Sequence, residues 1–310
     1  MEFSKLILGT WQAGKDMWAG IDDQESILAI RAAIEAGITT IDTAIVYGAG
    51  HAEQILGEAL SQVPRTQYQI ADKVFANKLK YKQVIEECER SLKNLQTEYL
   101  DLYQIHWPSG TFNSEIVPIE DTMQALNKLQ ADGKIKHIGV SNFSKQQIQE
   151  AMQYGEIVSN QPPYSLLWRY YDKETNPFCR KNNIAILAYS SLAQGLLTGK
   201  FKRGHVFSPG DHRINNKLFQ PEIYDKVDQV LAGLQPYADK YNTSIGNIAL
   251  NWLISQPNTH AIVGMRTAQQ VQDTVKCLSF NLSASELQAI DKLSELVTRN
   301  MQQNEMQWNW

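Results

Sequence analysis

Cysteine is scarce and scattered in this chain. Cys88, Cys179 and Cys277 lie too far apart for a CxxC metal or redox pair. Three isolated thiols suit a reducing compartment and exclude a disulfide framework. On spacing alone they read as structural residues, and no metal site is expected. Long apolar runs are also lacking. None reaches the ~18 residues of a membrane-spanning helix, and the N-terminus holds no signal-peptide apolar core. A cytoplasmic protein without a membrane partner is expected. Excess charge of one sign is missing too, since 29 Lys and Arg against 33 Asp and Glu leave a net charge of −4 over 310 residues. That balance gives no electrostatic footprint for nucleic acid or an acidic membrane surface. What is present, 43% hydrophobic and 20% charged residues, is an ordinary globular composition.

Short β-like runs alternate with helical patterns from end to end. Strands are expected at Lys5–Thr10, Thr39–Thr43, Tyr68–Phe75, Leu100–Trp107, Lys136–Phe143, Ile157–Gln161, Ile184–Ser190 and His260–Gly264. Asp22–Ala36 reads as a helix with Asp22 and Glu25 as a capping box and Gly37 as its stop. Helical stripes follow through Ala52, Ile55, Leu56, Ala59 and Leu60, and then through Val84, Ile85, Cys88, Leu92 and Leu95. Further helices pass through Met123, Leu126 and Leu129 to a stop at Gly133, open at Ser144, and run from Thr267 to Leu278. Eight strands each followed by a helix imply parallel pairing with right-handed crossovers. The count, and the absence of a linker, favour a closed single-domain (β/α)8 barrel over residues 1–310. Two segments exceed the repeat. Ser191–Pro221 is a long loop rich in Gly and basic residues, and loops of that length are usually functional or disordered. Arg299–Trp310 is a polar tail ending in Trp308 and Trp310, which either packs back over the barrel or frays.

Barrel chemistry belongs at the C-terminal ends of the strands. Asp42 ends the second strand, Lys73 nearly ends the third, His106 ends the fourth, and Tyr47 sits in the loop after the second. Period-two alternation puts Lys73 on one face with Gln69 and Ala71, and His106 with Leu102 and Gln104. If those faces point inward, three ionisable groups from adjacent strands meet beside a tyrosine. Any one alone would read as structural pairing; four on one rim point to function. Such a cluster suits proton transfer. A phenol of pKa ~10 needs help as an acid near neutrality. A lysine ammonium stabilises its phenolate, an aspartate keeps the lysine charged, and a histidine orients a substrate oxygen. Together they would polarise and protonate a carbonyl oxygen while hydride adds to its carbon.

These residues sit within GITTIDTAIVYGAGHAEQILGEAL, the Lys73 strand and YLDLYQIHW, followed by GVSNF, NQPPYSLL and YSSLAQGLLTGKF. In that order and spacing the chain closely resembles the aldo-keto reductases. The resemblance implies a (β/α)8 barrel, reduction of a small aldehyde or ketone, an NADP cofactor held without a Rossmann domain, and a catalytic tetrad of Asp42, Tyr47, Lys73 and His106. It further implies that Ser141, Asn142 and Gln161 bond the nicotinamide carboxamide and that Tyr189 stacks on its ring. A helix-opening turn remains an alternative for Ser141 and Asn142, because Ser144 follows as a cap. The loop carrying Ser190, Leu192, Gln194, Leu196, Thr198 and Lys200 would fold over the pyrophosphate and meet it with its backbone amides and Lys200, while Trp11 and Trp107 would wall the substrate pocket or simply pack. Gly264, Arg266, Gln270, Asp273 and Thr274 would receive the adenine end. Arg266 is the only cation there, with Gln270 and Thr274 where relatives carry arginine and asparagine, so NADPH is the expected partner on a reduced set of contacts.

GAGHAE echoes the GxGxxG dinucleotide fingerprint, but that pattern must open the first βα turn of a βαβ unit. Here Tyr47 precedes it in a second-strand loop, so Gly48 and Gly50 read as the hinge that turns Tyr47 to the rim. Two rival functions remain: a cofactor-binding regulatory subunit with slow turnover, and a Schiff-base lyase using Lys73. The lyase would need a neutral lysine, which a neighbouring aspartate opposes.

Overall fold

The computed structural model describes residues 1–304 together with Met306 and Gln307. Eight strands form a closed, wholly parallel barrel in sequence order. They are β1 (Leu6–Gly9), β2 (Thr40–Asp42), β3 (Gln69–Val74), β4 (Leu100–Ile105), β5 (Ile135–Ser141), β6 (Ser159–Gln161), β7 (Ala185–Ala188) and β8 (Thr259–Gly264). The seam closes with Gly9 opposite Gly264.

Ten helices surround the strands among the described residues: α1 (Asp23–Glu35), α2 (His51–Leu60), α3 (Tyr81–Leu95), α4 (Ile119–Ala131), α5 (Lys145–Ala151), α6 (Thr175–Lys181), α7 (Pro221–Lys240), α8 (Ile245–Ile254), α9 (Ala268–Thr274) and α10 (Ala284–Thr298). Local chemistry places their ends. The Asp22 side chain accepts the Glu25 N–H at 3.0 Å and starts α1. Ser144 and Gln147 form a reciprocal capping box on α5, which contributes about 1 kcal/mol by the usual worth of such a cap. The alternation predicts one helix behind each strand, yet α7 and α8 both follow β7, and α10 lies beyond α9. The expected Thr267–Leu278 helix is α9 continued by a 3-10 turn over Val275–Leu278.

The strands are buried on both faces, as parallel barrels require. Ile7, Ala71, Leu102, Leu187 and Ile262 fill the inside, whereas Ile70, Val74, Tyr103 and Ile105 join the larger core beneath the helices. Ala71 and Leu102 on the inside fix the alternation, so Lys73 also faces inward. The tail packs back as far as it is described. Gln303 accepts the Arg169 N–H at 2.7 Å, and Gln307 O accepts the Lys217 N–H at 2.9 Å. Trp308 and Trp310 lie outside the described residues.

Candidate active site

At the C-terminal mouth of the barrel lies a cavity of about 1060 Å³, at the upper end of the usual range for ligand sites. Asp42, Tyr47 and His106 line its floor. Lys73 lies just beneath, wholly buried. Its Nζ donates to Asp42 Oδ1 at 2.7 Å and Thr43 O at 2.7 Å, and lies 3.2 Å from Tyr47 Oη. Asp42 Oδ2 accepts from Gln161 Nε2 at 2.7 Å, which leaves that carboxylate fully engaged. The imidazole of His106 stands edge-on to the Tyr47 ring with centroids 5.9 Å apart. β4 stops one residue before His106, but the ladder continues through its N–H to Val74 O at 2.9 Å.

The turn that presents Tyr47 is built on close backbone approach. Gly48 has φ +63°, and a Cβ there would lie 2.2 Å from Gly14 O. A Cβ on Gly14 would meet the Tyr47 carbonyl carbon at 2.6 Å. Two backbones thus pass at a distance no side chain permits, and Gly48 also needs the left-handed region. The hinge reading of this glycine therefore gains a steric reason.

The electrostatics follow from burial and from Lys73. Burial opposes the lysine's charge, but Asp42 foremost and Tyr47 next outweigh it, and the ammonium pKa rises above its ordinary value. A lysine so held makes a poor amine nucleophile. For Tyr47, burial raises the phenol pKa and Lys73 pulls it down. Burial wins, so the net direction is upward. The lysine acts in the expected sense without bringing the phenol below its ordinary value, and Tyr47 stays protonated near neutral pH. His106 is pushed well below the ordinary histidine range by burial and then by Lys73, which keeps it neutral. Its Nδ1 is buried without a partner, leaving Nε2 as the atom available to an oxygen in the cavity.

Above this floor the remaining candidates fall into two groups. Ser141, Asn142, Gln161 and Tyr189 form one polar edge of the cavity. Ser141 Oγ donates to Gln161 O at 2.7 Å, Asn142 Nδ2 donates to His106 O at 3.0 Å, and Tyr189 Oη donates to Asn142 Oδ1 at 2.9 Å. Ser144 caps α5, so Ser141 and Asn142 are not needed for the helix opening. Trp11 lies against Tyr47 with centroids 6.2 Å apart, and Trp107 meets Phe112 edge-on at 5.2 Å. With Phe75, whose ring stacks on Phe112 at 5.6 Å, they give the cavity an aromatic wall. Phe75 and Phe112 were not expected there.

The second group is cationic. Ser190, Leu192, Gln194, Lys200, Gly264, Arg266, Gln270, Asp273 and Thr274 all reach the cavity. Leu196 does not: its side chain is wholly buried in the core under the loop, because the turn over Ala193–Thr198 points it inward. Asp273 pairs with Lys276 at 2.7 Å on the exposed side. The long loop adds a residue that sequence reading missed. Arg213 lines the cavity, anchored to Asp211 at 2.5 Å. Its guanidinium and that of Arg266 lie 5.0 and 5.1 Å from the Trp18 ring. Partial burial, then Arg213 and Arg266, lower the pKa of Lys200, and partial burial, then Arg213, lowers that of Arg266. Three cations gathered at one edge of the cavity, with Lys200 and Arg266 both held below their ordinary pKa, are arranged for an anion.

A barrel with a proton-transfer cluster at its mouth, beside a cationic cleft sized for a nucleotide, defines an oxidoreductase site. The comparisons say which kind. Residues 5–295 match the model of the Aldo/keto reductase family, and the chain belongs to that family. It is 35% identical to the NADH-specific methylglyoxal reductase of Escherichia coli, over 96% of each chain. The structure of the glycerol dehydrogenase AKR11B4 from Gluconobacter oxydans superposes with a TM-score of 0.88 at 33% identity, covering 99% of this chain and 96% of that one. An aldo-keto reductase from Klebsiella pneumoniae, in complex with NADPH, gives a TM-score of 0.77 at 27% identity, over 99% and 95% of the two chains. The protein is an enzyme of the oxidoreductase class.

Proposed function

We propose that this protein reduces small aldehydes or ketones with NADPH, with Tyr47 as the proton donor. The observation that carries the reading is the buried Lys73 ammonium, 2.7 Å from Asp42 and 3.2 Å from Tyr47 Oη, at the floor of the cavity. The cofactor supplies the hydride. The chain's residues do the rest. Charge growing on the carbonyl oxygen is met by the Tyr47 hydroxyl and a neutral His106, both preorganised at the cavity floor. As the proton leaves Tyr47, Lys73 stabilises the phenolate, and Asp42 keeps the lysine charged and in place. The aromatic wall of Trp11, Phe75, Trp107 and Phe112 favours a compact carbonyl compound.

The donor set fits a nicotinamide dinucleotide. Ser141, Asn142 and Gln161 offer the mixed donors and acceptors that a carboxamide needs, and the Tyr189 ring lies beside them. The loop from Ser190 to Lys200 would cover the pyrophosphate. Arg266, supported by Arg213, would hold a 2′-phosphate, with Gln270 and Thr274 toward adenine. A relative named as NADH-specific makes this last contact the one on which cofactor choice turns. Consumption of NADPH and NADH with methylglyoxal and with a panel of aromatic, aliphatic and sugar-like aldehydes tests the proposal. Faster turnover with NADPH supports it; no carbonyl-dependent oxidation of either cofactor overturns it.

A further inference from the structure

Glu53 and Asp72 do not line the cavity, yet both are wholly buried directly behind it. Asp72 precedes Lys73 on β3, and the alternation that turns Lys73 inward turns Asp72 out toward the helices. Glu53 stands in the first turn of α2, just beyond the turn that presents Tyr47. Asp72 Oδ1 accepts the backbone N–H of Lys73 at 2.7 Å. Glu53 Oε2 accepts from Asn94 Nδ2, on α3, at 2.7 Å. Asn94 reaches this far because Gly50 has no side chain: a Cβ there would lie 2.6 Å from Asn94 Nδ2.

That leaves Asp72 Oδ2 and Glu53 Oε1, both buried and without a donor. The two side chains lie within hydrogen-bonding range of each other. Two carboxylates cannot hydrogen-bond, since both only accept, and like charges held so close do not both ionise. One proton between them resolves the conflict and makes a charge-assisted O–H···O⁻ bond. Burial first, and the Glu53 charge next, hold the Asp72 carboxyl well above the usual range, in keeping with that arrangement.

We propose that Glu53 and Asp72 share one proton and form a strut behind the barrel wall that positions Tyr47 against Lys73, and that the pair carries a single negative charge that acts on the tyrosine. The strut runs from Asn94 through Glu53 and Asp72 to the Lys73 backbone, tying the helix behind the Tyr47 turn to the strand that carries the lysine. The charge has a definite sign. Behind burial, Lys73 and Asp42, Asp72 acts to raise the Tyr47 pKa. Lys73 from β3, Cys88 from α3 and Tyr103 from β4 interact with the pair, and Glu87 from α3 reaches Tyr103. Burial pushes Cys88 up to about 12 and Tyr103 well above its ordinary value, so both stay neutral. Glu87 is paired with Arg90 at 3.2 Å.

The inference rests on Tyr47 being the proton donor, so the test carries a Tyr47→Phe control. Asp72→Asn and Glu53→Gln each replace the shared proton by an amide N–H and keep one negative charge. Each should therefore hold kcat for methylglyoxal reduction within about threefold, with the alkaline limb of the pH profile unmoved. The double amide keeps a neutral hydrogen bond but loses the charge. Its alkaline limb should move to lower pH on the order of one unit, the effect of a unit charge across ~10 Å of protein. Tyrosinate absorbance, taken as the difference from the same variant carrying Tyr47→Phe, should show the same shift without substrate. Asp72→Ala breaks the strut and should lower kcat at least ~10-fold with KM little changed, and Asp72→Asn restores it. A single amide that shifts the profile as far as the double, or a double that shifts nothing, overturns the shared proton. Wild-type kcat in Asp72→Ala overturns the positioning role. If Tyr47→Phe stays active, the tyrosine assignment itself has failed; if Tyr47→Phe is inactive and the other variants behave as wild type, only the strut has failed.

Discussion

Arg266→Ala separates the two nicotinamide cofactors. NADPH differs from NADH by one phosphate, and Arg266 is half-buried at the cavity edge beside Arg213 and Lys200. A charge-assisted guanidinium–phosphate bond is worth about 1.5–3 kcal/mol when partly shielded, or roughly ten- to a hundredfold in affinity. The structure sets where in that range to look. Arg213 lowers the pKa of Arg266, so removing Arg266 also relieves repulsion among the cations. Arg213 then serves the phosphate slightly better, and the loss should fall nearer tenfold than a hundredfold. NADH lacks the group and should bind almost unchanged. Lys200→Ala is the contrast: placed at the pyrophosphate, it should weaken both cofactors alike. The assay is quenching of protein fluorescence by each cofactor at one fixed salt concentration, since exposed charge effects fade beyond a Debye length of ~10 Å at 0.1 M. If Arg266→Ala weakens both cofactors equally, or neither, the 2′-phosphate does not sit on Arg266 and the reasoning from the cationic cluster fails.

Three further outcomes are expected. Lys73→Met removes the group that pulls the Tyr47 pKa down against burial, so the alkaline limb of reduction, and the profile of alcohol oxidation, should move to higher pH; an unmoved profile with residual activity would deny the lysine its electrostatic role. Gly48→Ala forces a Cβ toward Gly14 O at 2.2 Å in a left-handed turn; we expect a fall in melting temperature together with a loss of kcat, and wild-type values for both would show that the turn can relax. Burial lowers the pKa of His212 to about 4 in the folded protein, against an ordinary ~6.5. Between those values the unfolded chain binds the extra proton, so this residue's stability contribution is intact above pH ~6.5 and is lost as pH falls toward ~4. Thermal unfolding of His212→Gln should lose less stability than wild type across that window, and parallel curves would contradict the assignment.

Much of this could be read from residues alone, and the reasons are specific. Lys73 sits on, and His106 directly follows, a strand buried on both faces, where period-two alternation tells inside from outside once a barrel closes. A polar residue at the end of such a strand has one place to point. Arg213 was not legible for the opposite reason. It lies in a long irregular loop with no period to aim its side chain, and it reaches Arg266 only through folding of the whole loop over the mouth. Trp18 and Phe112 were hidden in the same way. Leu196 has its side chain in the core while its neighbours reach the cavity, so its expected contact with the pyrophosphate would run through its backbone amide. Glu53 was not legible either, because it lies off the helical stripe of Ala52, Ile55, Leu56 and Ala59, yet it is wholly buried.

The central claim is that Tyr47 donates the proton that accompanies hydride addition. Its most direct test is turnover of Tyr47→Phe with NADPH and with NADPH deuterated at the transferred position, alongside NADPH affinity. Losing a positioned acid should lower kcat at least ~100-fold, with a primary isotope effect showing that hydride transfer limits the rate and with NADPH binding unchanged. A Tyr47→Phe enzyme that turns over near the wild-type rate while showing that isotope effect would contradict the account.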